Sequence, residues 1–447
     1  MSNATGLLVG FVPLARTTFD IPLAAEVTQR ARSALADSGL TLVGPESLVT
    51  DLEGVSAAAE ELVGRPLDLL LIFQATFADS TMVLSLAEAV DAPLVLWAVP
   101  EAASGGRLRL NSFCGVNLGA HALARRKLKY DYLYAPAGDA QALQKVQVLA
   151  RAGRAYRQVR GVRIGRVGDH PAGLDTCEID RGALASRFGL EVVQIDLQET
   201  FAGARAAAGQ VDALHQDLDK RLDGLGDLDQ TALRRTLGSY LTLRRAAKEQ
   251  ALAGVAVRCW PEFFTELGCA ACGAISLLSD EGIPASCEAD VNGTITQLVL
   301  QWISGEPAMG TDVVSFDLEG DSVVVWHCGL APLTMADPQV RPRATIHSNR
   351  KLPLLMEFPL KPGRVTVARL SEATGNYRLV VSSGEMLRAP ISFSGTSGVL
   401  RFARPAREVL DTMLSEGLEH HLSLTYGDHV PTLLTLAKML ELPVLHL

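Results

Sequence analysis

Long apolar runs are missing from this 447-residue chain. None approaches the roughly 18–20 residues that span a bilayer. The opening "MSNATGLLVGF" has no charged segment and apolar stretch ahead of a cleavage site. The expectation is a cytoplasmic protein without a membrane partner. A concentrated basic face is missing as well: formal net charge is -9, with basic residues scattered among acidic ones. Nucleic acid is therefore not expected as a partner, because phosphate binding needs such a face. Aromatics are only 5% of the chain, too few for the stacking platforms of a non-catalytic sugar-binding protein. The seven cysteines are an odd number. They include a single CxxC, Cys269 to Cys272, with no second pair to complete a zinc site, so core packing is the expectation for both. No GxGxxG, GK[ST] or GxSxG element occurs, which removes the nucleotide loops and the serine elbow.

What is present reads as a globular protein, 48% hydrophobic and 20% charged, too long for one core. Residues 6–135 alternate short apolar runs ("LLVGFVPL", "DLLLIFQAT", "PLVLWAV") with amphipathic stretches, the rhythm of a doubly wound parallel sheet. A helical pattern over 137–160 leads to a second set of the same kind, with strands in "VRIGRVGD", "LEVVQIDL" and "GVAVRCW" and helices over 262–279 and 290–303. After about 305 the texture changes to short alternating segments divided by Gly, Pro and Asn, which predicts an antiparallel barrel or closed sandwich followed by terminal helices. The expected domains are 1–160 and 161–304, both α/β and Rossmann-like, then a β-rich 305–447.

Residues 257–290, "VRCWPEFFTELGCAACGAISLLSDEGIPASCEAD", place Glu262 and Asp290 at the ends of a nearly apolar segment. Strand alternation puts Arg258 and Trp260 on one face, and Pro261 stops the strand and opens a helix. Glu262 then stands at a strand's carboxyl end and a helix's amino end, the usual ligand position in an open α/β sheet. "IPASCEA" delivers Asp290 to the matching position of the next unit, with Asn292 close by. Taken alone, Asp290 reads more readily as a helix N-cap and Glu262 as a complement to the helix dipole. Two at corresponding strand ends suggest a divalent cation. Histidines in motif-like settings are His327, His347 and the pair His420–His421. In an extended segment that pair points to opposite faces, so only one could enter a site. Arg16 lies just past the first strand.

"CWPEFFTELGCAACGAISLL…CEADVNGTITQ" and "EHHLSLTYGDHVPTLLTLAKMLELPV" resemble the L-fucose/L-arabinose isomerase superfamily, and the domain order agrees. Within it the chain looks most like the shorter bacterial members, which include sulfosugar isomerases. The resemblance implies a metal-dependent aldose–ketose isomerase working through a cis-enediol. Glu262, Asp290 and His421 would hold Mn²⁺ (or Mg²⁺ or Co²⁺), and the two carboxylates would double as the acid–base pair. It also implies a homo-oligomer, often hexameric, with shared pockets. The substrate would be a monosaccharide, sulfonated or neutral, contacted by Arg16, Arg258, Trp260, Asn292, His327 and His347. A sulfonate would call for a fixed cation, with Arg16 and Arg258 as the choices.

Overall fold

The computed structural model describes residues 6–447. They divide into two compact units, one reaching to Arg157 and one running Gln158–Leu447. Among the described residues no helix is long and apolar enough to cross a membrane.

The first unit is a parallel sheet of β1 (Leu7–Leu14), β2 (Leu40–Val43), β3 (Leu69–Gln74), β4 (Leu94–Ala98) and β5 (Asp131–Tyr134), in the order β2-β1-β3-β4-β5. Its central strands are continuous apolar runs because helices cover both faces, and every residue of β3 and β4 is buried. Asp20 and Asp51 cap the helices Ile21–Asp37 and Leu52–Leu62 by accepting the N–H of Leu23 (3.1 Å) and Gly54 (2.8 Å). Strand order reverses between β1 and β3, the position at which open α/β sheets collect ligands. The long helix Ala140–Val159 crosses close to the chain just before β3. A Cβ on Gly153 would lie 1.8 Å from the Asp68 carbonyl oxygen.

The second unit joins two sheets over a shared core. The parallel one contains β6 (Arg163–Val167), β7 (Glu191–Ile195), β8 (Gly254–Val257) and β9 (Ala285–Ser286), ordered β7-β6-β8-β9. The other is a closed antiparallel barrel. Its six strands are β10 (Met309–Asp317), β11 (Ser322–His327), β14 (Gly363–Ser371), β15 (Arg378–Leu387), β16 (Thr396–Phe402) and β17 (His421–Tyr426). Each pairs with two neighbours, and β15 with β16 closes the ring, which leaves no open edge. Short strands β12 (Arg343–Thr345) and β13 (Leu355–Pro359) extend the sheet from β16, and β18 (Val444–His446) lies parallel to β15. The α/β class with a terminal barrel is thus as the sequence predicts.

Two local expectations are corrected. The helix expected over 262–279 is a single wide turn, Phe263–Leu267, and a separate helix, Cys272–Asp280. Gly268 breaks them apart with φ 71°, and Arg235 donates to the Leu267 carbonyl at 3.0 Å. The strands expected through Trp260 and Ala289 stop at Val257 and Ser286.

Two measurements bear on the first unit. Gly153→Ala should destabilise it by about 3 kcal/mol, because the methyl meets backbone that cannot swing away. The check is the urea midpoint by circular dichroism. Glu101 accepts N–H bonds from Arg109, Leu110 (3.0 Å) and Asn111 (2.8 Å). Partial burial opposes its charge, but these donors outweigh that and hold its pKa below the ordinary value. Its stabilisation is therefore complete above the unfolded value of about 4.3 and fades as pH falls through the lower folded value. The melting-temperature gap between wild type and Glu101→Gln should be open at pH 7 and close on acidification.

Candidate active site

Asp290 is the hinge between the parallel sheet and the barrel. It caps the helix Val291–Ser304 by accepting the Gly293 N–H at 2.8 Å. Its second oxygen takes Arg369 Nη1 at 2.5 Å from β14 and lies 3.0 Å from His421 Nδ1 at the start of β17. Asp290 and Arg369 side chains are each 1% exposed. Burial opposes the charged form of Asp290, but the Arg369 charge and His421 prevail and hold its carboxyl well below the usual carboxylate range.

The turn before Asp290 brings up a second carboxylate. Glu288 and Ala289 both adopt left-handed backbone, φ 57° and 53°, which side-chain-bearing residues rarely accept. The turn aims Glu288 at both histidines. Its Oε2 is 3.1 Å from His420 Nε2 and 3.7 Å from His421 Nε2, while Trp260 donates its indole N–H to Oε1 at 3.0 Å. Burial works against this charge too, but His420, His421 and Trp260 bring the pKa down to about 2. Reciprocally, burial lowers the His420 pKa, but the Glu288 bond and neighbouring carboxylates raise it above its ordinary value. The two imidazoles therefore do not point to opposite faces. His420 precedes the strand, strand alternation does not govern it, and the ring centres are 4.0 Å apart.

Across the barrel register from His421 stands Asp312. Its Oδ1 is 3.7 Å from His421 Nε2 and is buried without a hydrogen-bond partner. His327 ends β11 with Nε2 2.9 Å from Cys287 Sγ, and that thiol is 3.4 Å from His421 Nε2. Cys269 and Cys272 are both buried core residues, as expected of the CxxC. Cys272 Sγ also lies 3.1 Å from Cys328 Sγ.

The remaining sequence candidates are more dispersed. Glu262 forms a two-pronged pair with Arg258 (2.7 Å to each oxygen). It falls in neither of the two His/Cys/Asp/Glu groups close enough to share a cation among the described residues. Arg258 also donates to the carbonyls of Asp169 and His170. Asn292 is buried in the first turn after Asp290. His347 sits apart, with Nδ1 accepting the N–H of Asn349 and Arg350. Arg16 belongs to the first unit, where it pairs loosely with Asp79 at 3.6 Å and lies over Phe77. Sequence reading missed Glu288, Arg369, Asp312 and Cys287. Arg369 was the most findable, as a lone cation inside the apolar strand "VTVARLS".

The groups that could share an ion are Cys177 with Glu288, His420 and His421, and Cys287 with His327 and His421. His421 belongs to both. Carboxylate oxygens of Glu288 and Asp312 facing its Nε2 make a donor set suited to a divalent cation, and the unpartnered Asp312 oxygen is what such a site would leave without its ion.

Residues 10–161 match the profile of the fucose/sulfoquinovose isomerase N-terminal domain, and residues 356–447 that of the L-fucose isomerase C-terminal domain. The chain is 32% identical to the sulfoquinovose isomerase of Priestia aryabhattai over 449 residues, covering 99% of each. It is 30% identical to that of Alkalicoccus urumqiensis over 443 residues, again 99% of each. For that of Clostridium sp. (strain MSTE9) the identity is 27% over 439 residues, 97% of this chain and 98% of the relative.

The buried pair makes a stability prediction. Arg369→Met strands the Asp290 charge and should cost about 3–5 kcal/mol. Arg369→Met with Asp290→Asn should recover part of that loss. Denaturant titrations of both variants check it, and additive losses would mean that the two groups are not coupled.

Proposed function

The chain belongs to the fucose/sulfoquinovose isomerase family, and we propose that its substrate pair is sulfoquinovose and 6-deoxy-6-sulfofructose. It is an aldose–ketose isomerase. What supports the sulfonated sugar is that relatives bearing that name align over nearly the whole chain. The observation that carries the chemistry is the meeting of Asp290, Glu288 and His421 from distant parts of the sequence.

The reaction moves one proton between C2 and C1 and another between their oxygens, through a cis-enediol. A divalent cation, Mn²⁺ or in its place Mg²⁺ or Co²⁺, would supply Lewis-acid polarisation of the substrate carbonyl. In this reading His421 would hold it through Nε2 with the Glu288 and Asp312 oxygens that face that nitrogen, while Asp290, bound to Nδ1, orients the imidazole. Asp290 has its oxygens committed to Gly293, Arg369 and His421. Its depressed basicity keeps it ionised, so of the two carboxylates Asp290 and Glu262 it is the one that anchors the site and does not transfer the proton. Glu262, half-buried and tied to Arg258, is the member assigned to carry the proton. Trp260 orients Glu288 through its indole N–H. Asn292, His327, His347 and Arg258 are assigned to sugar contacts, and Arg16 to those of a neighbouring subunit's pocket. A cytoplasmic homo-oligomer with shared pockets belongs to the same proposal.

The test is an NMR assay of Mn²⁺-loaded protein in D₂O with sulfoquinovose, L-fucose, L-arabinose, D-arabinose and D-glucose. Ketose formation from sulfoquinovose, with deuterium entering at the exchanging carbon, is the expected result. Turnover of a neutral sugar alone would refute the sulfonated substrate. Glu262→Gln should lower kcat about 10²- to 10⁴-fold without changing the circular dichroism spectrum, and a chelator should abolish turnover until Mn²⁺ is restored. Undiminished kcat in Glu262→Gln would remove that residue from the proton path.

A further inference from the structure

The site is rich in negative charge: Glu262, Glu288, Asp290 and Asp312 lie on the elements that build it. A divalent cation at His421 would offset part of that charge at the C1–C2 end, but on a chain of net charge -9 an anionic group at the far end of the sugar still needs a cation of its own. Two nearby arginines are already spent. Arg258 is neutralised by both oxygens of Glu262, and Arg369 is buried against Asp290.

Arg350 is placed differently. Among the described residues no carboxylate pairs with it, and it is exposed. Yet the side chain is not left to wander. Its guanidinium carbon lies 4.9 Å from the Trp260 ring centre and 5.1 Å from that of Phe264. Its Nη1 lies 3.1 Å from His347 Nε2. His347 is itself packed edge-on against Phe264, ring centres 5.3 Å apart. Burial, the Arg350 charge and His327 push the His347 pKa down to about 4, so a neutral imidazole faces the cation. Two aromatic faces hold the planar guanidinium beside a neutral neighbour that leaves its charge unpaired and donors free.

Trp260 fixes where this cation stands. One side of the indole carries Arg350, and its N–H reaches Glu288, which faces His420 and His421. A single indole thus separates the unpaired cation from the carboxylate–imidazole cluster. An open-chain hexose places its sixth-carbon substituent about 6 Å from C2, because each of the five intervening bonds of roughly 1.5 Å advances a staggered chain by only about 1.25 Å. That is on the order of the width of an indole. We propose that Arg350, seated on Trp260 and Phe264, is the specificity residue that binds the sulfonate of the substrate while its C1–C2 end lies at Glu288 and His421. The proposal rests on the sulfosugar reading above. The guanidinium donates two N–H bonds to sulfonate oxygens, a geometry that lysine's point charge does not reproduce.

The experiment measures kcat/KM for sulfoquinovose and for its uncharged counterpart D-quinovose in wild type, Arg350→Met and Arg350→Lys. The expected result is a fall in the sulfoquinovose-to-quinovose ratio of roughly 10- to 100-fold in Arg350→Met, carried mainly by KM, with partial recovery in Arg350→Lys. A wild type that prefers sulfoquinovose but keeps that preference in Arg350→Met would overturn this inference alone. So would equal losses on both sugars, which is the behaviour of a merely structural residue. A wild type with no preference for the sulfonated sugar would overturn the substrate reading and this inference with it.

Discussion

One buried ion pair, Arg369 with Asp290, sets the position of nearly everything at the site. Its partners come from β14 and from the start of the helix that follows the parallel sheet. Such a pair adds little net stability, because desolvation offsets most of the attraction. Its value here is geometric. Asp290 must satisfy a helix N-terminus, a guanidinium and an imidazole at once, and only one arrangement of helix against barrel does so. The Glu288 turn and the His420–His421 strand entry are read out from that fixed point. A second tie, in which Leu370 donates its N–H to Thr296 Oγ1 at 2.9 Å, holds the same helix to the same strand nearly two turns farther on.

The surroundings divide the ionisable groups by function. Carboxylates that face arginine or histidine are held ionised despite burial. Thiols have no such support. Burial pushes Cys177 and Cys287 up, and the Cys272 contact and burial do the same to Cys328. Protonated thiols are poor nucleophiles and poor ligands for hard cations. Cys287 therefore fills space between His327 and His421 without competing for their chemistry at neutral pH.

Much of this was legible in the sequence. The continuous apolar runs in β1, β3 and β4 announce strands buried on both faces, and the alternation after residue 305 announces the barrel. Glu262 and Asp290 stand out because they follow corresponding strands of consecutive β–α units. What the sequence hides is where local rules yield to tertiary demands. Nothing in "CEAD" predicts two successive left-handed residues, so the aim of Glu288 was invisible. Strand alternation failed for His420 because the strand starts one residue later. The neighbours of His421 depend on barrel register, Asp312 on one side, and long-range register is not written in either segment. Glu262 shows the converse: its place after a strand was legible, but the structure ties both of its oxygens to Arg258.

The Asp290–His421 contact joins residues 131 positions apart, and the Arg369 contact spans 79. Closing loops of that length is entropically costly and slow. During synthesis, β17 leaves the ribosome after both Asp290 and Arg369, so the chemistry cannot exist before that strand is made. A chain terminated just before His421 would contain Asp290 and Arg369 but have no imidazole to meet them. The histidine makes activity a report on synthesis through β17 as well as on correct folding.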